Sequence, residues 1–117
     1  MKNNRDGYIA EFIARVYMAF HGYRIVAKNI VTGKGTHCGE IDFIACKGRS
    51  LVFVEVKKRN SMEDAFYAIK PMQQQRIKNG ALAFIKKNPQ FRDYDLRFDA
   101  ILVSFPLQIQ HIANAWQ

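Results

Sequence analysis

A chain of 117 residues has room for one hydrophobic core and not for two, so a single domain over residues 1–117 is expected. With 49% apolar and 24% charged residues it has the balance of a globular protein, which excludes a disordered or fibrous chain. The formal net charge of +8 is spread along the sequence (Lys57, Lys58, Arg59, Lys70, Arg76, Lys78, Lys86, Lys87) and favours a polyanionic partner, nucleic acid before an anionic membrane surface. No apolar run approaches the roughly 20 residues that span a bilayer. MKNNRDGYIAEF lacks the apolar stretch of a signal peptide, so a cytoplasmic protein with no membrane partner is expected. Cys38 and Cys46 are too few for a disulfide framework, and the neighbouring His37-Cys38 has no paired ligand spacing for zinc; free thiols are expected.

In chain order, residues 6 to 21 place Ile9, Phe12, Ile13, Val16, Tyr17 and Phe20 at helical spacing, with Asp6 as N-cap and Gly22 as the stop. This predicts an amphipathic helix. Tyr23 to Lys28 is rich in Ile and Val and reads as a strand, followed by a Gly- and Thr-containing loop from Thr32 to Gly39. EIDFIAC (40 to 46) and LVFVEV (51 to 56) are two further strands, joined by a tight turn in which Gly48 supplies a positive φ. Both are apolar on both faces, which places them inside a sheet covered on each side. The stretch 58 to 70 is polar, with a short helical turn from Glu63. Pro71 opens a second amphipathic helix to about Lys87, with Ile77, Ala81, Phe84 and Ile85 on one face and Pro89 at its end. RFDAILVSF (97 to 105) and LQIQHI (107 to 112) complete the order α-β-β-β-α-β-β, a mixed α/β sheet flanked by helices. Arg97 and Asp99 alternate out of a buried strand and are expected to form a structural pair.

A hairpin turning about Gly48-Arg49 opposes residues whose numbers sum to 97, which brings Asp42 and Glu55 face to face. Directly opposed like charges are destabilising, and desolvation within apolar strands adds to the cost. A hard divalent ion such as Mg²⁺, with Mn²⁺ as a substitute, would neutralise both. Lys57 lies two residues beyond Glu55 on the same strand face, where it can stabilise developing phosphoryl charge or orient the attacking water. The alternative is a plain ion pair, Glu55-Lys57 or Asp42-Lys57, closing the end of the strands; it leaves one carboxylate unexplained. Glu40 alternates to the other face, as a structural or supporting residue.

Gly39-Glu40-Ile41-Asp42-Phe43-Ile44-Ala45 followed by Leu51-Val52-Phe53-Val54-Glu55-Val56-Lys57 and Arg59 resembles the GEIDLIA…LVFVEVKxR signature of the YraN-like family of uncharacterised bacterial proteins. Ala10-Glu11, His21-Gly22-Tyr23, Arg97-Phe98-Asp99 and Asn114-Ala115-Trp116 extend the resemblance over nearly the whole chain. That family is in turn similar to the PD-(D/E)XK nucleases, especially archaeal Holliday junction resolvases. The resemblance implies a restriction-endonuclease-like fold, with Asp42 and Glu55 as metal ligands and Lys57 as the catalytic lysine. It also implies Glu11 as an auxiliary acid reaching the metal or its waters, whereas its own spacing equally suits a helix-surface pair with Arg15. Gln74 corresponds to a polar residue at the start of the helix after the catalytic strands, near N–H groups that favour phosphate; an ordinary helix-start glutamine is the alternative. This chain has Gln73-Gln74 where the family often has Lys-Gln, which removes a phosphate contact, and Phe66-Tyr67 where it often has Phe-Gly. The expected function is a Mg²⁺-dependent endonuclease acting on structured or branched DNA. A nucleic-acid-binding module of the same fold without catalysis is the runner-up, and a second copy of the chain is a further candidate partner.

Overall fold

The computed structural model describes residues 5–32, 39–58, 70–104 and 108–116, with backbone alone for residues 5, 6, 32 and 39. The expectations placed on the Asp6 cap, on His37 and Cys38, and on the stretch from Arg59 to Ile69 lie outside the described residues and side chains. Helix α1 (Arg5–Phe20) leads into strands β1 (Arg24–Thr32), β2 (Gly39–Lys47) and β3 (Ser50–Lys58). Helix α2 (Pro71–Lys87), a single 3₁₀ turn (Pro89–Phe91), and strands β4 (Asp95–Ser104) and β5 (Gln108–Trp116) follow. The five strands lie in chain order, β1-β2-β3-β4-β5. β3 and β4 are parallel and the other pairs antiparallel, so the sheet is mixed and agrees with a restriction-endonuclease-like α/β fold. A parallel pair needs a crossover, and α2 lies within it.

Strand alternation divides the core between the two sheet faces. Leu51, Phe53, Ala100 and Leu102 meet Ile77, Ala81 and Phe84 of α2 on one side. Val52, Val54, Val56, Ile101 and Val103 meet Ala10, Ala14 and Met18 of α1 on the other. β2 and β3 are interior strands, as their two-sided apolar character required. Pro71 occupies the first turn of α2, where its missing N–H costs nothing, and Lys86 and Lys87 complement the carbonyl end of the helix dipole.

Besides β5, which runs on to Trp116 where the sequence suggested 107 to 112, two sequence expectations need correction. β1 runs on to Thr32 instead of ending at Lys28, because Asn29 adopts φ 53° and lets the strand bend and continue past it. The second concerns the inward side of α1, which is the stripe Ala10, Ala14 and Met18, small at its first two positions; Ile9, Phe12, Val16 and Phe20 point outward. Small side chains let the helix backbone approach the crowded valine face of the sheet closely.

Both edge strands are irregular. Val26 is an extra residue in β1, between Ile25↔Ala45 and Ala27↔Ile44. β5 gains residues between Phe98↔Trp116 and Ala100↔Ile112, where Asn114 takes φ 54°. This second bulge is held by Asp99, which is fully buried on the α1 side of the sheet. Arg97 donates to it twice at 2.8 Å, His111 Nε2 lies 2.7 Å away and the Asn114 N–H donates at 2.9 Å. Arg97 also donates to the Tyr23 hydroxyl at 2.7 Å, so the pair expected of Arg97 and Asp99 is present within a larger network.

Candidate active site

Gly48 takes φ 61°, as the first central position of a two-residue hairpin requires. The ladder runs Lys47↔Ser50, Cys46↔Leu51, Ala45↔Val52, Ile44↔Phe53 and Phe43↔Val54, a register whose next step opposes Asp42 to Glu55. Counted from the turn, that step is a non-hydrogen-bonded site, where facing side chains come closest. Regular pairing ends there. The Val56 N–H, which a continuing ladder would direct to the Ile41 carbonyl, instead donates to the Asp42 carboxylate at 2.8 Å. On the other side of β2 the register passes from Lys28↔Phe43 to Ile30↔Ile41 and omits Asp42 and Asn29. The kink at Asn29 thus frees Asp42 from both neighbours and turns its carboxylate toward β3.

Glu55 is 4% exposed, and Asp42 is half-buried. Burial pushes Asp42 up to about 7, and the facing Glu55 charge pushes in the same direction against the Val56 N–H. Burial also raises Glu55, opposed chiefly by the Lys57 ammonium. The two carboxyl groups share a hydrogen bond. Lys57 Nζ lies 3.2 Å from Glu55 Oε2, so the ion pair of the alternative reading exists. Its pull on Asp42 is the weakest of those acting there, and one ammonium cannot balance two carboxylates. Without a further cation the pair is stable only by retaining a proton.

Glu55 and Lys57 alternate with Val54 and Val56, and so project to the face covered by α2. From α2, Gln73 reaches Glu55, its Nε2 donating to Oε2. The sequence marked position 73 only as a departure from the family pattern. The signal for it was its place as third residue of a helix opened by Pro71, where side chains lean back toward the N-terminus. Gln74 is half-buried in the same turn, its N–H donating to the Lys70 carbonyl at 2.9 Å. Glu11 is half-buried on α1, which packs on the opposite sheet face. Glu40 is exposed, and its charge contributes to raising Glu55.

The structure therefore brings together Asp42, Glu55, Lys57 and Gln73. Among the described residues no group of three acids, histidines or cysteines converges on one point. Two hard carboxylates short of positive charge still fit a divalent ion that takes the rest of its ligands from water and phosphate.

The chain matches the uncharacterised protein family UPF0102 over residues 10–103, a span that holds all four of these residues. It is 37% identical over 113 residues to UPF0102 protein amb4503 of Paramagnetospirillum magneticum, covering 97% of this chain and 88% of that one. A UPF0102 protein of Bradyrhizobium sp. strain BTAi1 is 47% identical over 112 residues, covering 96% and 79%. UPF0102 protein RPA0323 of Rhodopseudomonas palustris is 40% identical over 112 residues, covering 96% and 83%. With a family match over most of its length and relatives aligned nearly end to end, the chain belongs to the uncharacterised UPF0102, or YraN-like, family.

Proposed function

We propose that the protein is a divalent-metal-dependent endonuclease that hydrolyses phosphodiester bonds of nucleic acid, with structured or branched DNA as substrate. The opposition of half-buried Asp42 and buried Glu55, with Lys57 the one cation paired to them among the described residues, carries this reading. Asp42 and Glu55 would hold Mg²⁺ or Mn²⁺, which when bound supplies charge neutralisation and polarises a phosphoryl oxygen. Lys57 places a proton donor beside the reacting group, to stabilise charge on the phosphoryl oxygens and orient the attacking water. Gln73 and Lys57 both hold Oε2 of Glu55, which fixes the orientation of its carboxylate. Lys70 and the first turn of α2 support the substrate assignment: no side chain caps that end and no acid lies within it, so its N–H groups are available to a phosphate.

Single-turnover cleavage of a panel of branched, flapped and linear DNA with Mg²⁺ or Mn²⁺ tests the proposal. Cleavage is expected in the wild type and lost with chelator. Lys57→Ala should lower the rate by about 10²-fold or more while binding changes little, since its contact matters mainly in the transition state. Lys58→Ala, on the other strand face, should cut almost normally. No cleavage by the wild type, with binding retained, would leave a nucleic-acid-binding module in place of an enzyme.

A further inference from the structure

Helix α1 is apolar around most of its circumference, yet it fully buries only Ala10, Ala14 and Met18. Phe20 is 85% exposed, Tyr8 64% and Phe12 59%, and Ile9 and Val16 complete the stripe. A helix apolar on nearly every side belongs in an interior, and here one side has no cover among the described residues. Beside the stripe runs a groove of about 440 Å³, bounded by Phe12 and Phe20 and floored by Ile13, Tyr17 and Ile109. That is more than the roughly 150 Å³ in which a benzene ring can be held. The one imidazole at its rim, His21, has its Nδ1 2.8 Å from the Tyr17 carbonyl of its own helix, so the surface offers little to a phosphate or other polar ligand.

We propose that this face is where two copies of the chain pair, α1 against α1 across a two-fold axis, each inserting an aromatic ring into the other's groove. A two-fold interface uses one patch twice and must carry both knob and hole. The α1 face has both. At roughly 150–250 Å² for an aromatic side chain, the exposed stripe amounts to about 500 Å² per copy. A symmetric pair would bury about 1,000 Å², the lower bound for a specific interface, and apolar patches of about 500 Å² are often functional surfaces. The five side chains of the stripe, Tyr8, Ile9, Phe12, Val16 and Phe20, are uncharged, so the surface that would be buried costs no desolvation of charge. Glu55 and Lys57 project from the other sheet face and stay open in such a dimer, so the pairing does not rest on the nuclease reading.

Sedimentation of the full chain over a concentration series tests the pairing. The mass should approach twice 13.5 kDa as concentration rises. Phe20→Glu enters the interface twice by symmetry and should raise the dimer dissociation constant about thirty-fold or more, with far-UV circular dichroism unchanged. Phe12→Ser, a milder change on the same stripe, should act in the same direction. Leu82→Glu, exposed on α2, should leave the mass curve unaltered. A monomer at every concentration overturns the proposal, and so does a dimer that persists in both α1 variants.

Discussion

Taking a carboxylate out of water beside another carboxylate costs free energy, and at Asp42 the Val56 N–H offsets part of that cost, with a smaller share from the Lys57 charge. Its pKa is raised to about 7 in the fold, so between the unfolded value of 3.8 and that point the native state holds a proton that the unfolded chain releases. The stability linked to this proton is complete below the unfolded value and is lost as pH rises through about 7. Asp42→Asn should therefore stabilise the chelator-treated protein at pH 8, on the order of 2 kcal/mol, since Asn still accepts from Val56 and brings no charge. The gain should shrink as the pH falls toward 4. Melting curves across that range with chelator present decide it, and a lower melting temperature in the variant would make Asp42 a structural acceptor. The opposition of Asp42 and Glu55 was legible in the sequence because a two-residue turn and strict alternation are local rules. Gln73 was not, since the angle at which α2 meets the sheet decides which side chain of its first turn arrives at Glu55.

Gly and Pro punctuation marked the ends of the two helices and the turn between β2 and β3, whereas the orientation of α1 did not follow from it. Periodicity locates apolar stripes on a helix; it cannot say which of two will face the sheet, and here the tight valine surface selected Ala10 and Ala14 over the bulkier stripe. The β5 bulge was equally hidden, because its extra residues depend on a partner in the neighbouring strand. Burial works against the Asp99 carboxylate, but hydrogen bonds from His111, Arg97 and Asn114 outweigh it and hold the group below the usual carboxylate range. Its contribution is thus present above the unfolded value near 4 and lost as pH falls through the lower folded one. Asp99→Asn should cost about 3 kcal/mol or more at neutral pH by leaving Arg97 uncompensated, and progressively less in acid. Urea unfolding at the two pH values measures this; a loss under about 1 kcal/mol at pH 7 would mean that the bulge holds itself.

Over the whole molecule, the charge of +8 should show in how binding responds to salt. The logarithm of DNA affinity should fall linearly with the logarithm of salt concentration, by about 0.9 for each phosphate neutralised. Lys70 stands at the N-cap position of α2, the end from which Gln73 reaches Glu55, and Lys70→Ala should flatten the slope by about one such step. Titrations between 50 and 200 mM salt read both quantities, and an affinity indifferent to salt would remove nucleic acid as the polyanionic partner. The paired irregularities of β1 and β5 bear on a different hazard. An open five-stranded sheet exposes two rows of backbone donors and acceptors, along which identical chains can add strand to strand into fibres. Val26 at one border and the turn of backbone at Asn114 at the other break those rows out of step, so a straight incoming strand finds neither border in register. The same distortions that bend the outer strands therefore keep the sheet finite, and protect a small, concentrated, half-apolar protein from polymerising through its own hydrogen bonds.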